Sequence, residues 1–194
     1  MHTLVPNQKR MIVFLVGFMG SGKSFYAKGL ANHLHVPMVD LDNYLEKKQG
    51  ITISGIFEKF GEQSFRDMES LALKEVYSEM LNKMPQNKDQ NRIVGIVSCG
   101  GGTPCFNENM EWMNHHGMTV WINPPEAVIS ERLKKEAATR PLLANLDEAA
   151  LTDFIRERMA DRIPFYAMAS TTITDPHISM EEFLNAIQNA KNIF

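Results

Sequence analysis

Met11–Ser24, MIVFLVGFMGSGKS, decides the fold. Its first half, Met11 to Val16, is an unbroken apolar run that stops at Gly17, the pattern of a strand buried on both faces. Its second half, Gly17-Phe18-Met19-Gly20-Ser21-Gly22-Lys23-Ser24, fits G-x-x-x-x-G-K-[ST]. Beyond it Phe25, Ala27, Leu30, Ala31 and Leu34 recur three to four apart, as one face of a helix requires. A glycine-rich turn between a buried strand and a helix lets backbone N–H groups close around phosphate oxygens at the positive end of the helix. Lys23 can then reach the β- and γ-phosphates, and Ser24 can offer its hydroxyl to Mg²⁺. An accidental glycine-rich turn has no reason to fall in that setting, so the stretch predicts a phosphate cradle for a nucleoside triphosphate.

Outward from this stretch, strand and helix alternate. Pro37 resets the chain into a short strand through Val39 and Asp40. Thr52 fits the N-cap of a short helix carrying Ile56, Phe57 and Phe60, which Gly61 ends, and Glu62 to Leu81 keeps helical spacing as a longer helix. Lys83 to Asn91 is a polar surface loop. Ile93 to Val97 and Met118 to Ile122 are further buried strands, the first followed by Gly100, Gly101, Gly102 and Pro104. Pro125 opens a helix through Leu133. The pattern weakens between Lys134 and Leu146, where Arg140 and Pro141 occur, as in a mobile excursion, and helical spacing returns from Ala149 to Met159. Thr171 to Thr174 reads as a last strand, and Ser179 with Glu182 forms a capping box for a closing helix to about Lys191. This order predicts an α/β fold, three layers α/β/α around a five-stranded parallel sheet.

Composition narrows the function. With 194 residues, 44% hydrophobic and 22% charged, the chain suits one compact domain over 1–194. A net charge of −3 lacks the basic excess of a protein that neutralises a nucleic-acid backbone. No apolar run approaches the roughly 20 residues that cross a bilayer, so no membrane partner is expected. Met1 to Arg10 has no basic patch followed by a long apolar stretch, which gives a cytoplasmic expectation. Cys99 and Cys105 are too few for a disulfide framework and read as core or loop thiols. Asn87-Lys88-Asp89-Gln90 has Gln90 where a guanine-reading N-K-x-D needs its carboxylate, so it is discounted.

Asp40 and Asp42 lie two apart at the end of the second strand, where an extended backbone directs both to one side. In open parallel sheets the site lies at these carboxyl ends. Capping the following helix is an equally good reading of the pair taken alone, but the phosphate cradle favours one carboxylate for a metal-bound water and the other for an acceptor hydroxyl. Arg66, alone on its helix face, is by default a solvated charge. Three glycines after a buried strand let backbone N–H groups approach a ligand closely.

Taken in order, the cradle, Asp40-Leu41-Asp42, Gly61-Glu62-Gln63-Ser64-Phe65-Arg66, Gly100-Gly101-Gly102 and Arg140-Pro141-Leu142-Leu143 resemble the motifs of the shikimate kinases, from about Ile12 to Ile173. The resemblance implies the P-loop NTPase fold, with shikimate-binding helices over about 43–81 and a lid over about 135–146. It implies ATP-dependent phosphorylation of the shikimate 3-hydroxyl. Asp42, Lys23 and Arg140 are the catalytic residues it implies, with Asp42, Arg66, Gly100, Gly101, Gly102 and Arg162 gripping shikimate. Gly20, Ser21, Gly22, Lys23, Ser24, Phe25 and Arg140 hold ATP, while Ser24 and Asp40 serve Mg²⁺ and Ser98 a magnesium-bound water.

Arg162 belongs to Arg162-Ile163-Pro164-Phe165-Tyr166, with Pro164 and Tyr166 fixing a turn after a helix. Arg132 aligns with an adenine-stacking arginine of some relatives. A pair of arginines suits the shikimate carboxylate, and an aspartate suits its hydroxyls. The family also implies a monomer. Phe25 departs from the small hydroxyl residue common after the cradle serine, Pro104 and Cys105 fall in a variable stretch, and Thr174 to His177 is shorter than the adenine loop of many relatives. The rival readings are a gluconate or nucleoside-monophosphate kinase, against which Arg66, Arg162 and the glycines argue, and a nucleotide-binding module without chemistry.

Overall fold

Strand β1, Met11–Val16, is buried along its whole length and sends alternate side chains to opposite sides of a sheet. Met11, Val13 and Leu15 join one apolar core, and Ile12, Phe14 and Val16 join another. This is why the run has no polar alternation. The computed structural model describes residues 10–83, 93–136 and 146–191, and the elements below fall within them.

The five strands are β1, β2 (Met38–Asp40), β3 (Ile93–Ser98), β4 (Gly117–Ile122) and β5 (Thr171–Ile173). They pair in the order β2-β3-β1-β4-β5, every pair parallel. Helices α1 (Lys23–Leu34) and α7 (Met180–Lys191) cover one face, where Tyr26, Leu30, Phe183 and Ile187 meet the odd-numbered side of β1. Helices α2 (Leu41–Gln49), α3 (Ile53–Asn82), α4 (Asn109–His116), α5 (Glu126–Glu136) and α6 (Glu148–Tyr166) cover the other. The α/β/α layering and the five-stranded parallel sheet therefore stand as expected.

Local signals explain most boundaries. Thr52 caps α3 by accepting from the Gly55 amide at 3.2 Å. Gly61 breaks the same helix with φ 78 and ψ 171, so residues 53–60 and 62–82 form two helical pieces, as a glycine at that position suggests. Ser179 and Glu182 make the reciprocal capping box at the start of α7.

Two expectations need correction, and one helix has no counterpart among them. Asp42 does not lie on an extended strand, because the chain turns into α2 at Leu41 and Asp42 sits in the first helical turn. Pro164 does not mark a turn after a helix, since α6 runs through it to Tyr166. The intrahelical bond that Pro164 forgoes is to the carbonyl of Ala160, an exposed residue where water can replace it. Finally, α4 was not anticipated. It is short, buries only Asn109, Met110 and Met113, and starts from Asn107 and Glu108 in left-handed conformations instead of from a serine or threonine cap.

Among the described residues, no helix is long and apolar enough to cross a membrane. Arg140, most of the expected lid over 135–146, and Asn87 to Gln90 lie outside the described residues.

Candidate active site

The carboxyl ends of β1, β2 and β3 open into a cavity of about 630 Å³. Its walls come from the loop after β1, the β2–α2 junction, the glycines after β3, and Arg132 with Pro176. In that loop Gly22 adopts φ 102 and becomes the N-cap of α1, a conformation that L side chains rarely take. The first amides of α1 have no intrahelical acceptor, so the helix presents positive charge to the cavity. Lys23 is buried and donates from Nζ to the Phe18 carbonyl at 2.9 Å. Arg132 donates from Nη1 to the carbonyls of Gly20 (3.1 Å) and Ser21 (3.0 Å), bracing the loop from α5. Phe25 lines the same cavity with 73% of its surface exposed.

At the strand ends three oxygens gather. Ser24 Oγ donates to Asp40 Oδ2 at 2.8 Å and lies 3.2 Å from Ser98 Oγ. Sheet register puts Asp40 opposite Ser98. The other oxygen of Asp40, Oδ1, accepts from the Asn43 amide at 3.3 Å and caps α2. Asp40 is thus both a helix cap and a member of the oxygen cluster, so the two readings of the aspartates are compatible. Asp42 faces the cavity from the first turn of α2. Burial pushes its carboxyl up to about 6, Glu69 and Asp40 adding to the rise and Lys23 opposing it.

The other half of the site is built from side chains. Arg66 is not alone on its helix face: it is 7% exposed and ion-paired through Nη1 to Glu69 and through Nη2 to Glu62, both at 3.0 Å. Glu69 is 1% exposed and also accepts from the Thr103 hydroxyl. Burial raises its carboxyl, while Thr103 and Arg66 pull it back. Arg66 Nε is buried with no hydrogen-bond partner among the described residues, a donor left for something else.

The three glycines are packed against these groups. A Cβ at Gly100 would stand 2.7 Å from Glu69 Oε1 and 2.8 Å from Asp42 Oδ1, one at Gly101 3.0 Å from Arg162 Nη1, and one at Gly102 2.5 Å from Arg66 Nη1. Arg162 reaches this loop from α6, lies over the Phe18 ring at 5.4 Å, and has Tyr166 one turn on, whose hydroxyl donates to the Gly101 carbonyl. Cys99 also lines the cavity, but burial drives its thiol far above the ordinary range and keeps it protonated.

The structure therefore brings Gly20, Gly22, Lys23, Ser24, Phe25, Asp40, Asp42, Ser98, Gly100, Gly101 and Arg132 onto one cavity, with Ser21 buried inside the loop and Arg66 and Arg162 packed against Gly102 and Gly101. Sequence reasoning missed Glu69 and Thr103, and gave Tyr166 only a turn-fixing role. For Glu69 a signal existed: it falls at i+4 from Phe65 and i−4 from Leu73, a carboxylate on an otherwise apolar buried stripe.

The family model "Shikimate kinase" matches residues 19–191. Among curated proteins, the shikimate kinase of Bacteroides fragilis is 37% identical over 158 residues, 81% of each chain. That of Phocaeicola vulgatus is 38% identical over 157 residues, 81% of this chain and 82% of the relative. Among solved structures, the shikimate kinase of Bacteroides thetaiotaomicron superposes with TM-score 0.77 at 32% identity, covering 94% of this chain and 97% of the other. A shikimate kinase from Acinetobacter baumannii, solved in complex with shikimate, gives TM-score 0.70 at 28% identity over 96% and 92% of the two chains.

Proposed function

Because this chain belongs to the shikimate kinase family, we propose that its cavity transfers the γ-phosphoryl group of ATP to the 3-hydroxyl of shikimate. The products are shikimate 3-phosphate and ADP, a step in aromatic amino-acid biosynthesis. The observation that carries this reading is Asp42, a half-buried acid whose carboxyl is pushed up to about 6, facing the same cavity as the phosphate cradle.

The triphosphate lies in the loop from Gly20 to Ser24, against the amides of α1, with the ammonium of Lys23 swinging from the Phe18 carbonyl to the outer phosphates. The Phe25 ring borders the nucleotide end. Arg66 and Arg162 take the shikimate carboxylate, for which Arg66 Nε, with no partner among the described residues, is a ready donor. Backbone amides at Gly100, Gly101 and Gly102 approach the ring because no side chain intervenes. Asp42 accepts the hydrogen bond of the 3-hydroxyl. As the oxygen–phosphorus bond forms and the bond from the γ-phosphorus to the β–γ bridging oxygen breaks, Asp42 takes the hydroxyl proton and the electron pair leaves with ADP. Lys23, together with Arg140 from the lid over about 135–146, balances charge on the transferring group.

Ser24, Asp40 and Ser98 form a hard-oxygen cluster suited to Mg²⁺. Ser24 and Asp40 would hold it, Ser98 a bound water, and it would neutralise phosphate charge. The described residues contain no group of three or more His, Cys, Asp or Glu that could hold a metal. We take the enzyme as a cytoplasmic monomer of one domain, a state that sedimentation at working concentration checks.

ADP release measured in parallel with shikimate, gluconate and nucleoside monophosphates tests the function. Turnover is expected with shikimate. Turnover with another acceptor alone rejects the substrate, and turnover with none rejects the enzyme in favour of a binding module.

A further inference from the structure

Arg66 is covered by aromatic rings. Its Cζ lies 4.2 Å from the ring centroid of Phe106, 4.9 Å from that of Phe65 and 5.9 Å from that of Phe57. Phe65 is buried in the apolar core and Phe57 packs against it. Phe106 belongs to neither core and is 36% exposed. Hydrophobic burial therefore does not account for its position.

The backbone around Phe106 is held in an unfavourable shape. Asn107 and Glu108 have φ 51 and φ 55, two consecutive non-glycine residues in the left-handed region. Surrounding contacts impose it. Asn107 Nδ2 donates to the Arg66 carbonyl (3.2 Å) and to Asp67 Oδ1 (3.1 Å). Thr103 donates to Glu69, and Asn109 accepts from Ser70 at 2.7 Å while donating to the Thr103 carbonyl at 3.0 Å. Three side chains from the segment after the glycines thus bind one turn of α3, residues 66–70, and set the Phe106 ring against the guanidinium. With Nη1 on Glu69, Nη2 on Glu62 and the ring face covered, the edge left for a ligand is the one bearing Nε.

We propose that Phe106 is a positioning residue for the acceptor: by stacking on Arg66 it fixes the guanidinium plane so that the Nε edge meets a planar carboxylate, and so selects acid over neutral acceptors. The inference rests on the assignment of Arg66 to the acceptor carboxylate made above.

Steady-state kinetics of Phe106→Ala, Phe106→Leu and Phe106→Trp with shikimate and with its methyl ester test it. Phe106→Ala raises the shikimate KM about 3- to 30-fold, the range of a cation–π contact, while the ATP KM stays within twofold. Phe106→Leu, which keeps bulk and packing, shows most of the same loss, and Phe106→Trp restores the wild-type value. With the methyl ester, wild type and Phe106→Ala agree within twofold, because Arg66 no longer meets a carboxylate. Equal losses with acid and ester, or an unchanged shikimate KM in Phe106→Ala, overturn the inference alone. Absence of shikimate turnover in the unaltered protein overturns the proposed function and this inference together.

Discussion

The two halves of the cavity are built on different principles. The proposed donor half is eight consecutive residues, Gly17 to Ser24, a contiguous loop whose carbonyls are braced by Lys23 and by Arg132 from α5 and whose amides are the proposed phosphate ligands. The acceptor half is a set of charged side chains from α2, α3 and α6, spread over more than a hundred residues and packed against three glycines. A loop that binds through its own amides can be carried by any sheet, whereas buried charges such as Arg66 and Glu69 need a specific fold to pair them. The donor half therefore identifies a reaction class, and the acceptor half identifies a substrate.

Variants that separate the halves test this contrast. Arg140→Ala, which removes the proposed lid cation, lowers turnover about 10³-fold or more with a smaller effect on the shikimate KM. Unchanged turnover would detach Arg140 from the donor half.

Asp42→Asn lowers kcat/KM for shikimate about 10²- to 10⁴-fold, the usual worth of a general base. In wild type the same parameter falls as pH drops below about 6, because Asp42 must be ionised to accept the proton. That limb should vanish in the asparagine variant. The sign for stability is opposite: a carboxyl raised by burial favours the folded state fully below its unfolded pKa of 3.8, and this advantage is lost as pH rises through about 6. Asp42→Asn should therefore melt above wild type at pH 8 and close to it at pH 4.

Arg66→Ala raises the shikimate KM about 10- to 100-fold, since a charged hydrogen bond is worth about 1.5–3 kcal/mol, and leaves the ATP KM nearly alone. Equal effects on both substrates would erase the boundary between the halves. The smallest effect belongs to neither half. Gly61→Ala places a Cβ at φ 78 and ψ 171 with nothing within 4 Å, a backbone region essentially confined to glycine, so conformational strain of about 1–3 kcal/mol should lower Tm by about 2–12 °C with little change in either KM.

What was legible in the sequence follows the same division. The apolar run of β1 and the glycines after it announced strand, cradle and helix together, because each signal is contiguous. The spacing of Asp40 and Asp42 points to one strand face, but the chain turns at Leu41, and a cap that also touches Ser24 cannot be told from a plain cap by spacing. Arg66 was located by resemblance, yet its burial was invisible because its neutralising partners, Glu62 and Glu69, read as ordinary helix charges. Pro164 suggests a helix end, yet lies inside α6, because its positional rule yields wherever water can replace the lost bond. Phe106 and the strained pair after it carry no sequence signal, since their role exists only across the contact with α3.

The glycines after β3 have an evolutionary consequence. Each is the negative imprint of acceptor-side groups: Gly100 of Glu69 and Asp42, Gly101 of Arg162, Gly102 of Arg66. None of the three has a left-handed φ, so what bars a side chain there is space, and space is released when the opposing group shrinks. Glycine and partner should then change together among relatives. A chain with alanine at the third position should carry a shorter residue in place of Arg66, and its acceptor should have lost the acid.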